Sequence, residues 1–280
     1  MKDVILLDGA CGTCLFKKAE ERGLEKIPVW MYSVKAPDMV QELAEEYVEA
    51  GTKIVQTNTF SANPAAVEHE GFEIEKIIAA AVKISKRAVS GTDCRVSLDV
   101  GPLTKHLEPY GDMTEEECRG IFSRIFSAGL DEGVDLITLE TFMDLNMLKI
   151  AAHLAAEMTG SELPVLCSMT YQREGRSLFG NTPKEAAEFA EDFAKKTFGK
   201  EAENKFAIGI NCSFGPEAAM KVLDEYAEYT KLPLLFKPNV DEGVSARDFA
   251  DMCRPAFPKV RYIGSCCNSS PEFIKELSRI

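Results

Sequence analysis

Residues 207–212 read Ala-Ile-Gly-Ile-Asn-Cys, an apolar run of strand length that ends in an amide and a thiol. Its apolar character is nearly continuous, as in a strand buried on both faces of a parallel sheet. Similar short runs recur along the whole chain, at residues 4–7, 53–59, 96–100, 136–141, 165–170, 234–237 and 260–264. Together with 207–212, they predict eight buried strands.

Helical patterns separate these runs. In residues 40–48 the apolar positions follow i, i+3, i+4, i+7 and i+8, and Gly51 provides a stop. Thr114 and Glu117 have the spacing of a capping box, and residues 182–185 repeat that spacing with a proline at the first helical position. Each predicted strand is thus followed by a predicted helix.

Strand–helix alternation repeated eight times predicts a (β/α)8 TIM barrel, formed by a single domain over residues 1–280. The alternative is an open doubly wound sheet, which usually carries G-x-G-x-x-G after the first strand. No such motif follows residues 4–7. The barrel is therefore the favoured fold.

Composition and charge restrict the classes of partner. A net charge of −13 argues against nucleic acid and against an anionic membrane surface. The N-terminus lacks the pattern of a signal peptide, and no run has the ~18–20 apolar residues of a membrane span. These features predict a cytoplasmic protein. Its nine cysteines, an odd number, argue against a disulfide framework.

Three cysteines follow predicted strands 6 and 8. Because TIM-barrel active sites lie at the carboxyl ends of the strands, Cys212, Cys266 and Cys267 are candidates for chemistry. Strands of the same parity contribute to one interior layer, so Cys212 can converge with strand 8. Cys266 and Cys267 can face one point only if the chain leaves strand geometry there, and Asn268 tolerates the left-handed conformation that such a turn needs. Three thiolates with an open fourth position match catalytic zinc; a role as buried core cysteines remains the alternative.

Four motifs, in order along the chain, carry a family resemblance. Residues 8–13 (DGACGT), 56–60 (QTNTF), 209–212 (GINC) and 264–272 (GSCCNSSPE) resemble the signatures of the homocysteine S-methyltransferase family. This family includes the homocysteine domain of cobalamin-dependent methionine synthase and betaine–homocysteine methyltransferase. The resemblance spans nearly the whole chain and implies a (β/α)8 barrel, in agreement with the strand count.

The resemblance also implies a metal and a reaction. Cys212, Cys266 and Cys267 would bind Zn²⁺, and the sulfur of homocysteine would take the fourth position as a thiolate. That sulfur would accept a methyl group to give methionine, with no catalytic side chain required beyond the activated thiol of the substrate. In the absence of substrate, Asn239 would fill the fourth position.

The same resemblance implies how the substrate is held. Asp8 and Glu140 would bind the amino group of homocysteine, and the backbone N–H groups around Gly9 and Ala10 would bind its carboxylate. Asn58 is a further candidate for substrate binding. For Asn58, and equally for Asp99 at the end of strand 3, a substrate contact and a loop hydrogen bond both remain open.

The methyl donor is left open by the sequence. No histidine lies in the D-x-H-x-x-G context of a cobalamin-binding module, so no fused cobalamin domain is expected. The donor is either a separate methyl-corrinoid protein or a small molecule such as S-methylmethionine, S-adenosylmethionine or a betaine. The alternative function is a non-catalytic zinc- or thiol-binding partner of a corrinoid methyltransferase system.

Two sequence details qualify this interpretation. The usual G-G-C-C-G-T of the family reads Gly-Ser-Cys-Cys-Asn-Ser at residues 264–269, which leaves the backbone beside the zinc ligands less free. Cys11 and Cys14 form a C-x-x-C, but they occupy variable positions of the D-G-A-x-G-T motif. Cys14 is expected to pack at the start of the first helix, and Cys11 to border the pocket.

Overall fold

The computed structural model describes residues 4–280. Residues 1–3, which begin both the predicted domain 1–280 and the segment judged unlike a signal peptide, lie outside the described residues. The eight strands of the described chain are β1 Ile5–Leu6, β2 Ile54–Gln56, β3 Arg95–Val100, β4 Leu136–Phe142, β5 Val165–Met169, β6 Phe206–Asn211, β7 Leu234–Lys237 and β8 Tyr262–Ile263. All of them pair in parallel in one sheet, in the order β1-β8-β7-β6-β5-β4-β3-β2.

The two ends of this sheet meet between β1 and β2. Leu7 forms a parallel bridge with Ile54 just beyond the end of β1. The Lys53 N–H donates to the Leu6 carbonyl at 2.8 Å. These contacts nearly close the sheet, and with the surrounding helices they form the (β/α)8 TIM-barrel fold that the sequence predicts.

Helices follow the strands around the outside of the barrel. They are α1 Gly12–Glu21, α2 Tyr32–Lys35, α3 Pro37–Glu49, α4 Pro64–His69, α5 Ile74–Ala88, α6 Glu115–Asp131, α7 Leu145–Met158, α8 Pro183–Phe198, α9 Ala202–Lys205, α10 Pro216–Tyr229, α11 Ala246–Cys253 and α12 Pro271–Leu277. Both predicted capping boxes are confirmed, at Thr114 and Glu117 of α6 and at Thr182 and Glu185 of α8. Within residues 4–280, no helix combines the length and the apolar character needed to cross a membrane.

Consecutive strand residues contribute to two different apolar layers. Leu136 lies with Leu166, Ala207 and Leu235 in a small cluster, whereas Ile137 belongs to the large cluster that includes the helix side chains. This separation follows from the alternation of side chains across a strand. The small cluster fills the barrel interior near the beginnings of the strands.

Closer to the carboxyl ends of the strands, two or four residues beyond the members of the small apolar cluster, the side chains that point into the barrel are polar. These positions hold Gln56, Asp99, Glu140, Asn211 and Lys237, close to the carboxyl ends of β2, β3, β4, β6 and β7. The apolar interior layer therefore supports a polar layer at the end of the barrel where TIM-barrel active sites form.

Some strands are shorter than predicted. The run at 53–59 forms a strand only over Ile54–Gln56, because the Thr57 and Thr59 hydroxyls bond to each other at 2.6 Å in a turn. The run at 260–264 narrows to Tyr262–Ile263, and the chain is already irregular at Cys266. Both deviations occur at the ends that form the pocket.

Candidate metal centre and substrate pocket

A cavity of about 300 Å³ lies at the carboxyl ends of the strands. This central pocket is lined by residues of the β1–α1 turn, the end of β2, and the ends of β3, β4, β6, β7 and β8. Its lining includes the sequence-predicted Asp8, Gly9, Ala10, Asn58, Glu140, Cys212, Cys266 and Cys267. Residues up to 259 positions apart are thus brought to one site.

The sulfur atoms of Cys212, Cys266 and Cys267 all lie within 4.8 Å of one another. Within residues 4–280 this is the one group of three or more cysteine, histidine or acidic side chains so arranged. Zinc–sulfur bonds of about 2.3 Å in a tetrahedron place the sulfurs roughly 3.8 Å apart. The observed spacing and the all-thiol donor set therefore fit Zn²⁺ with one position left for another ligand.

Left-handed backbone on both sides of the cluster brings the sulfurs together. Cys212 itself has a φ of +48°, just after β6, and Asn268 has a φ of +64°. The Cys266 N–H donates to the Pro238 carbonyl at 2.9 Å, and the Val240 N–H donates to the Cys267 carbonyl at 3.0 Å. The chain thus leaves strand geometry after β8, as the adjacent cysteines require, and Asn268 takes the expected conformation.

Asn239 lies beside the cluster and contacts its backbone. The Oδ1 atom of Asn239 accepts the Cys267 N–H at 3.1 Å. Its side chain lines a neighbouring cavity of about 1210 Å³, outside the central pocket. In this arrangement Asn239 positions Cys267, and its role as a fourth zinc ligand stays a prediction.

The three thiols share protons unequally. The Sγ atoms of Cys212 and Cys267 are 3.2 Å apart. Hydrogen bonds from the Cys212 and Cys266 thiols lower the pKa of Cys267. A separate hydrogen bond between Cys266 and Cys212 raises the pKa of Cys266. The lowered pKa makes Cys267 the thiol of the three that loses its proton most readily, and a thiolate is the form in which cysteine binds metal ions.

A buried asparagine at the end of β6, which the sequence analysis did not identify, contacts the group of three cysteines. Asn211 is fully buried, and its Nδ2 donates to Thr141 Oγ1 at 2.7 Å and lies 3.9 Å from Cys266 Sγ. Its Oδ1 accepts from the Thr141 N–H and from the Ser168 hydroxyl, each at 2.9 Å. Asn211 thus links the ends of β4, β5 and β6 to the Cys266 sulfur. Its position immediately before Cys212 was the available sequence signal.

Opposite charges meet at the floor of the central pocket. Lys237, only 2% exposed, lies with its Nζ 3.0 Å from Glu140 Oε2 and 3.5 Å from Asp8 Oδ1, and it also donates to Gln56 Oε1. Gln56 donates from its backbone to Asp8 Oδ2 at 2.7 Å and from Nε2 to Glu140 Oε2 at 2.9 Å. Lys237 is thus a buried ion-pair partner of both acids, and it also lines the pocket.

Burial and charge act in opposite directions on the pKa values of this group. Burial raises the pKa of Asp8 to about 6, although Lys237 and the Gln56 N–H lower it. Burial lowers the pKa of Lys237, whereas the negative charges of the carboxylates near it, Glu140 first and then Asp8, raise it. The charges together outweigh burial, so the net shift of the Lys237 pKa is upward. Lys237 is therefore a permanent cation in the site, and Asp8 titrates near neutrality.

The turn of residues 8–13 is fixed by hydroxyl groups. The Ala10 N–H donates to Ser269 Oγ at 3.0 Å, and the Tyr47 hydroxyl donates to the Ala10 carbonyl at 2.9 Å. A Cβ at Gly9 would come within 2.6 Å of Ser265 Oγ, so glycine is needed there. The Ala10 N–H, predicted to meet a substrate carboxylate, is engaged here. A carboxylate at this turn would replace the Ser269 hydroxyl or bind the next N–H groups, at the start of α1.

Asn58 uses both ends of its amide within the protein. Its Nδ2 donates to the Val29 carbonyl at 2.8 Å and to the Ser33 hydroxyl at 3.1 Å, and its Oδ1 accepts from the Cys11 thiol at 3.4 Å. Substrate binding by Asn58 stays a prediction.

Burial raises the pKa of Cys11 well above its usual value, so this thiol remains protonated at the border of the pocket. Cys14 lies in the first turn of α1, as expected.

Known proteins share both the sequence pattern and the fold. The family model described as "Homocysteine S-methyltransferase" matches residues 5–280. Methionine synthase of Mycobacterium tuberculosis is 26% identical over 303 residues, and that of Mycobacterium leprae is 25% identical over 310 residues. Each alignment covers 98% of this chain but 24% of the relative, so the chain spans about a quarter of the length of these relatives.

Solved structures resemble the barrel as a whole. The homocysteine methyltransferase MmuM from Escherichia coli, in its metallated form, superposes with a TM-score of 0.80 at 22% identity. The match covers 99% of this chain and 96% of that one. The apo form of the same protein gives a TM-score of 0.75. At this identity the likeness concerns the fold.

Proposed function

Because the chain belongs to the homocysteine S-methyltransferase family, a family of methyltransferases, we propose that it methylates homocysteine to methionine with the help of Zn²⁺. The observation that carries this proposal is the convergence of three cysteine sulfurs, within 4.8 Å of one another, at the edge of an acid-lined pocket. A thiol-binding metal site and an ammonium-binding site in one cavity suit a ligand that carries both groups.

In the proposed complex, Cys212, Cys266 and Cys267 hold the metal. When bound, zinc supplies a deprotonated and oriented substrate sulfur at neutral pH, at which a free thiol with a pKa near 8.5 is mostly protonated. Asn211 and Asn239 fix the orientation of the cysteines by the contacts described above. Such outer contacts are typically worth 10–100-fold in metal affinity.

The substrate backbone is assigned to the opposite side of the pocket. Asp8 and Glu140 would accept hydrogen bonds from its ammonium group, and Lys237 would hold the Glu140 carboxylate in place. The turn at Gly9 and Ala10, with the start of α1, would face its carboxylate. No further side chain is needed as an acid or base, because the attacking sulfur transfers no proton to the methyl donor.

The metal assignment is tested by substitution and metal analysis. Wild-type protein and the control Cys94→Ser, whose thiol contacts only the Thr52 carbonyl, should contain about one zinc per chain. Cys266→Ser should lose both zinc and methionine formation. A wild-type protein that is fully active without bound metal would overturn the proposal.

The methyl donor is proposed to be a separate methyl-corrinoid protein or a small donor such as S-methylmethionine. A screen of homocysteine with S-methylmethionine, S-adenosylmethionine, glycine betaine and methylcobalamin, read as methionine formed, identifies the donor. Zinc X-ray absorption with and without homocysteine separates catalysis from the alternative, a non-catalytic zinc protein of a corrinoid system. An added sulfur ligand supports the enzyme, and an unchanged ligand set refutes homocysteine as the substrate.

A further inference from the structure

A third buried carboxyl group, that of Asp99, lines the central pocket. Asp99 is 6% exposed, and its Oδ1 has no hydrogen-bond partner within residues 4–280. Its backbone, in contrast, is held on both sides: the N–H donates to Thr57 Oγ1 at 3.0 Å, and the carbonyl accepts from Thr59 Oγ1 at 2.6 Å. The loop hydrogen bonds at this position are therefore made by the backbone, and the carboxyl group stays available in the pocket.

The donors near this carboxyl group are already in use. Lys237 is the one cationic side chain among the described residues of the pocket lining, and it bonds to Glu140 and Gln56. It approaches Asp8 Oδ1 to 3.5 Å as an ion pair without hydrogen-bond geometry, so that Asp8 Oδ1 and Asp99 Oδ1 are both buried and without a hydrogen-bond donor among the described residues. One cation faces three acids. Buried acceptors and charges that lack partners are costly, which indicates that a ligand supplies what the protein does not.

We propose that Asp99 is the third wall of an ammonium cage, in which Asp8, Asp99 and Glu140 together bind the α-amino group of homocysteine. The proposal rests on the proposed function and specifies how the substrate is selected. An alkylammonium group has three N–H donors and no acceptor, which matches three converging acids. It also brings a second cation to a pocket that holds only one.

Burial raises the pKa of Asp99 well above its ordinary value, and the charge of Glu140 raises it further. Free of ligand, the pocket thus resists the ionisation of Asp99, as it does that of Asp8. An ammonium between them reverses this effect, since an opposite charge at contact favours the carboxylates. Binding and ionisation of the cage then support each other.

The three cysteines line the same 300 Å³ cavity, which restricts the class of ligand. A simple thiol satisfies only the metal, and an amine without a thiol satisfies only the acids. The site as a whole selects a short chain with a thiol at one end and an ammonium group at the other.

The test compares two thiols on the zinc-loaded full chain. L-Homocysteine and 4-mercaptobutanoate share the thiol, the carboxylate and the carbon chain, but 4-mercaptobutanoate has no amino group. Calorimetry of both ligands with wild type, Asp99→Asn and Asp99→Ser measures the preference for the ammonium. The exposed Asp93→Asn is the control. Zinc content and melting temperature establish that each variant is folded and metallated.

We expect Asp99→Asn to lose roughly 10–100-fold in affinity for homocysteine, as for a hydrogen bond to a charged group, and to bind 4-mercaptobutanoate about as well as wild type. Asp99→Ser should behave likewise. An equal loss for both thiols, or no loss for either, overturns the cage. A wild-type protein that binds neither thiol overturns the cage and the proposed function together.

The donor screen separates the two proposals. A homocysteine preference that depends on Asp99, in a protein that makes no methionine from any donor, supports the cage and refutes the methyltransferase proposal. Methionine formation with an unchanged kcat/KM in Asp99→Asn refutes the cage and leaves the proposed function standing.

Discussion

Replacement of Lys237 by methionine tests the charge balance of the pocket. Methionine keeps most of the length and the apolar stem of lysine while it removes the charge. In the wild type, Lys237 is 2% exposed and lies 3.0 Å from Glu140 Oε2 and 3.5 Å from Asp8 Oδ1. The Lys237→Met protein would hold three buried acids with no cationic side chain in the described pocket lining. We expect it to be less stable than wild type at pH 7.5.

The size of the loss follows from two opposing quantities. At an effective dielectric constant of about 20, charges at these two distances attract by about 5 kcal/mol each. Removal of the ammonium also removes its own desolvation cost of several kcal/mol, and protonation of the acids limits the remaining repulsion. A net loss of about 3–5 kcal/mol in the free energy of unfolding is expected, as for other buried pairs that lose one partner.

The loss should depend on pH with a defined sign. The pKa of Asp8 is raised to about 6 in the folded protein, against about 3.9 in unfolded chains, so the stability it contributes is present below pH 3.9 and lost as pH rises through 6. Lys237 lowers this pKa, and its removal therefore raises the pKa further. The variant should consequently recover part of its stability between pH 7.5 and pH 5, where Asp8 takes up a proton.

Urea unfolding followed by circular dichroism, at pH 7.5 and pH 5, measures both effects. Lys231→Met, at an exposed position, is the matched control and should change the free energy of unfolding by less than about 0.5 kcal/mol. A loss in Lys237→Met below about 1 kcal/mol at pH 7.5, or an equal loss at both pH values, would contradict the assigned charge balance.

Three further predictions concern the support of the site. Asn211→Leu should cost about 2–4 kcal/mol in urea unfolding, because it leaves partners such as the fully buried Ser168 hydroxyl unpaired, and should lower zinc affinity roughly 10–100-fold in a chelator competition. Gly209→Ala should give no soluble folded protein, since its Cβ would lie 1.8 Å from the Leu235 carbonyl oxygen; normal yield and melting temperature would refute this. The preference for homocysteine over 4-mercaptobutanoate should weaken as pH falls through about 6, where Asp8 protonates, and calorimetry of Asp8→Asn should show no such step.

The sequence was sufficient to predict the fold and the convergence of the cysteines. Both depend on local signals: apolar runs of strand length, helical periodicity between them, and the rule that the carboxyl ends of barrel strands meet. Cys212 and Cys266 are 54 positions apart, and the equal parity of their strands indicated that they could converge, although the left-handed backbone of Cys212 that completes the convergence was not predicted. Even the irregular turn after β8 followed from a steric requirement, since adjacent strand residues otherwise face opposite sides.

The network of charges and hydrogen bonds was largely beyond the sequence. Lys237 and Gln56 lie 181 positions apart, and nothing in either run indicates that they contact. The Ser269 hydroxyl takes the Ala10 N–H, which the resemblance had assigned to a substrate carboxylate. Such pairings depend on side-chain directions within a closed barrel, which periodicity does not specify. The C-x-x-C of Cys11 and Cys14 shows the converse, a conspicuous motif whose members take no part in the group formed by Cys212, Cys266 and Cys267.

The presence of three cysteine sulfurs and three buried acids in one pocket explains how the proposed enzyme would select its substrate. Shape alone distinguishes ligands that differ by one methylene only by about 1–3 kcal/mol. A site with buried unpaired acceptors rejects a ligand without the matching donor far more strongly, because those acceptors then stay unpaired. Asp8 Oδ1 and Asp99 Oδ1 are two such acceptors, buried and without hydrogen-bond partners in the described chain. Simple thiols that can reach the metal would leave both unsatisfied. Selectivity among cellular thiols would therefore come from the acids that share the pocket with the cysteines, and the metal would supply reactivity rather than discrimination.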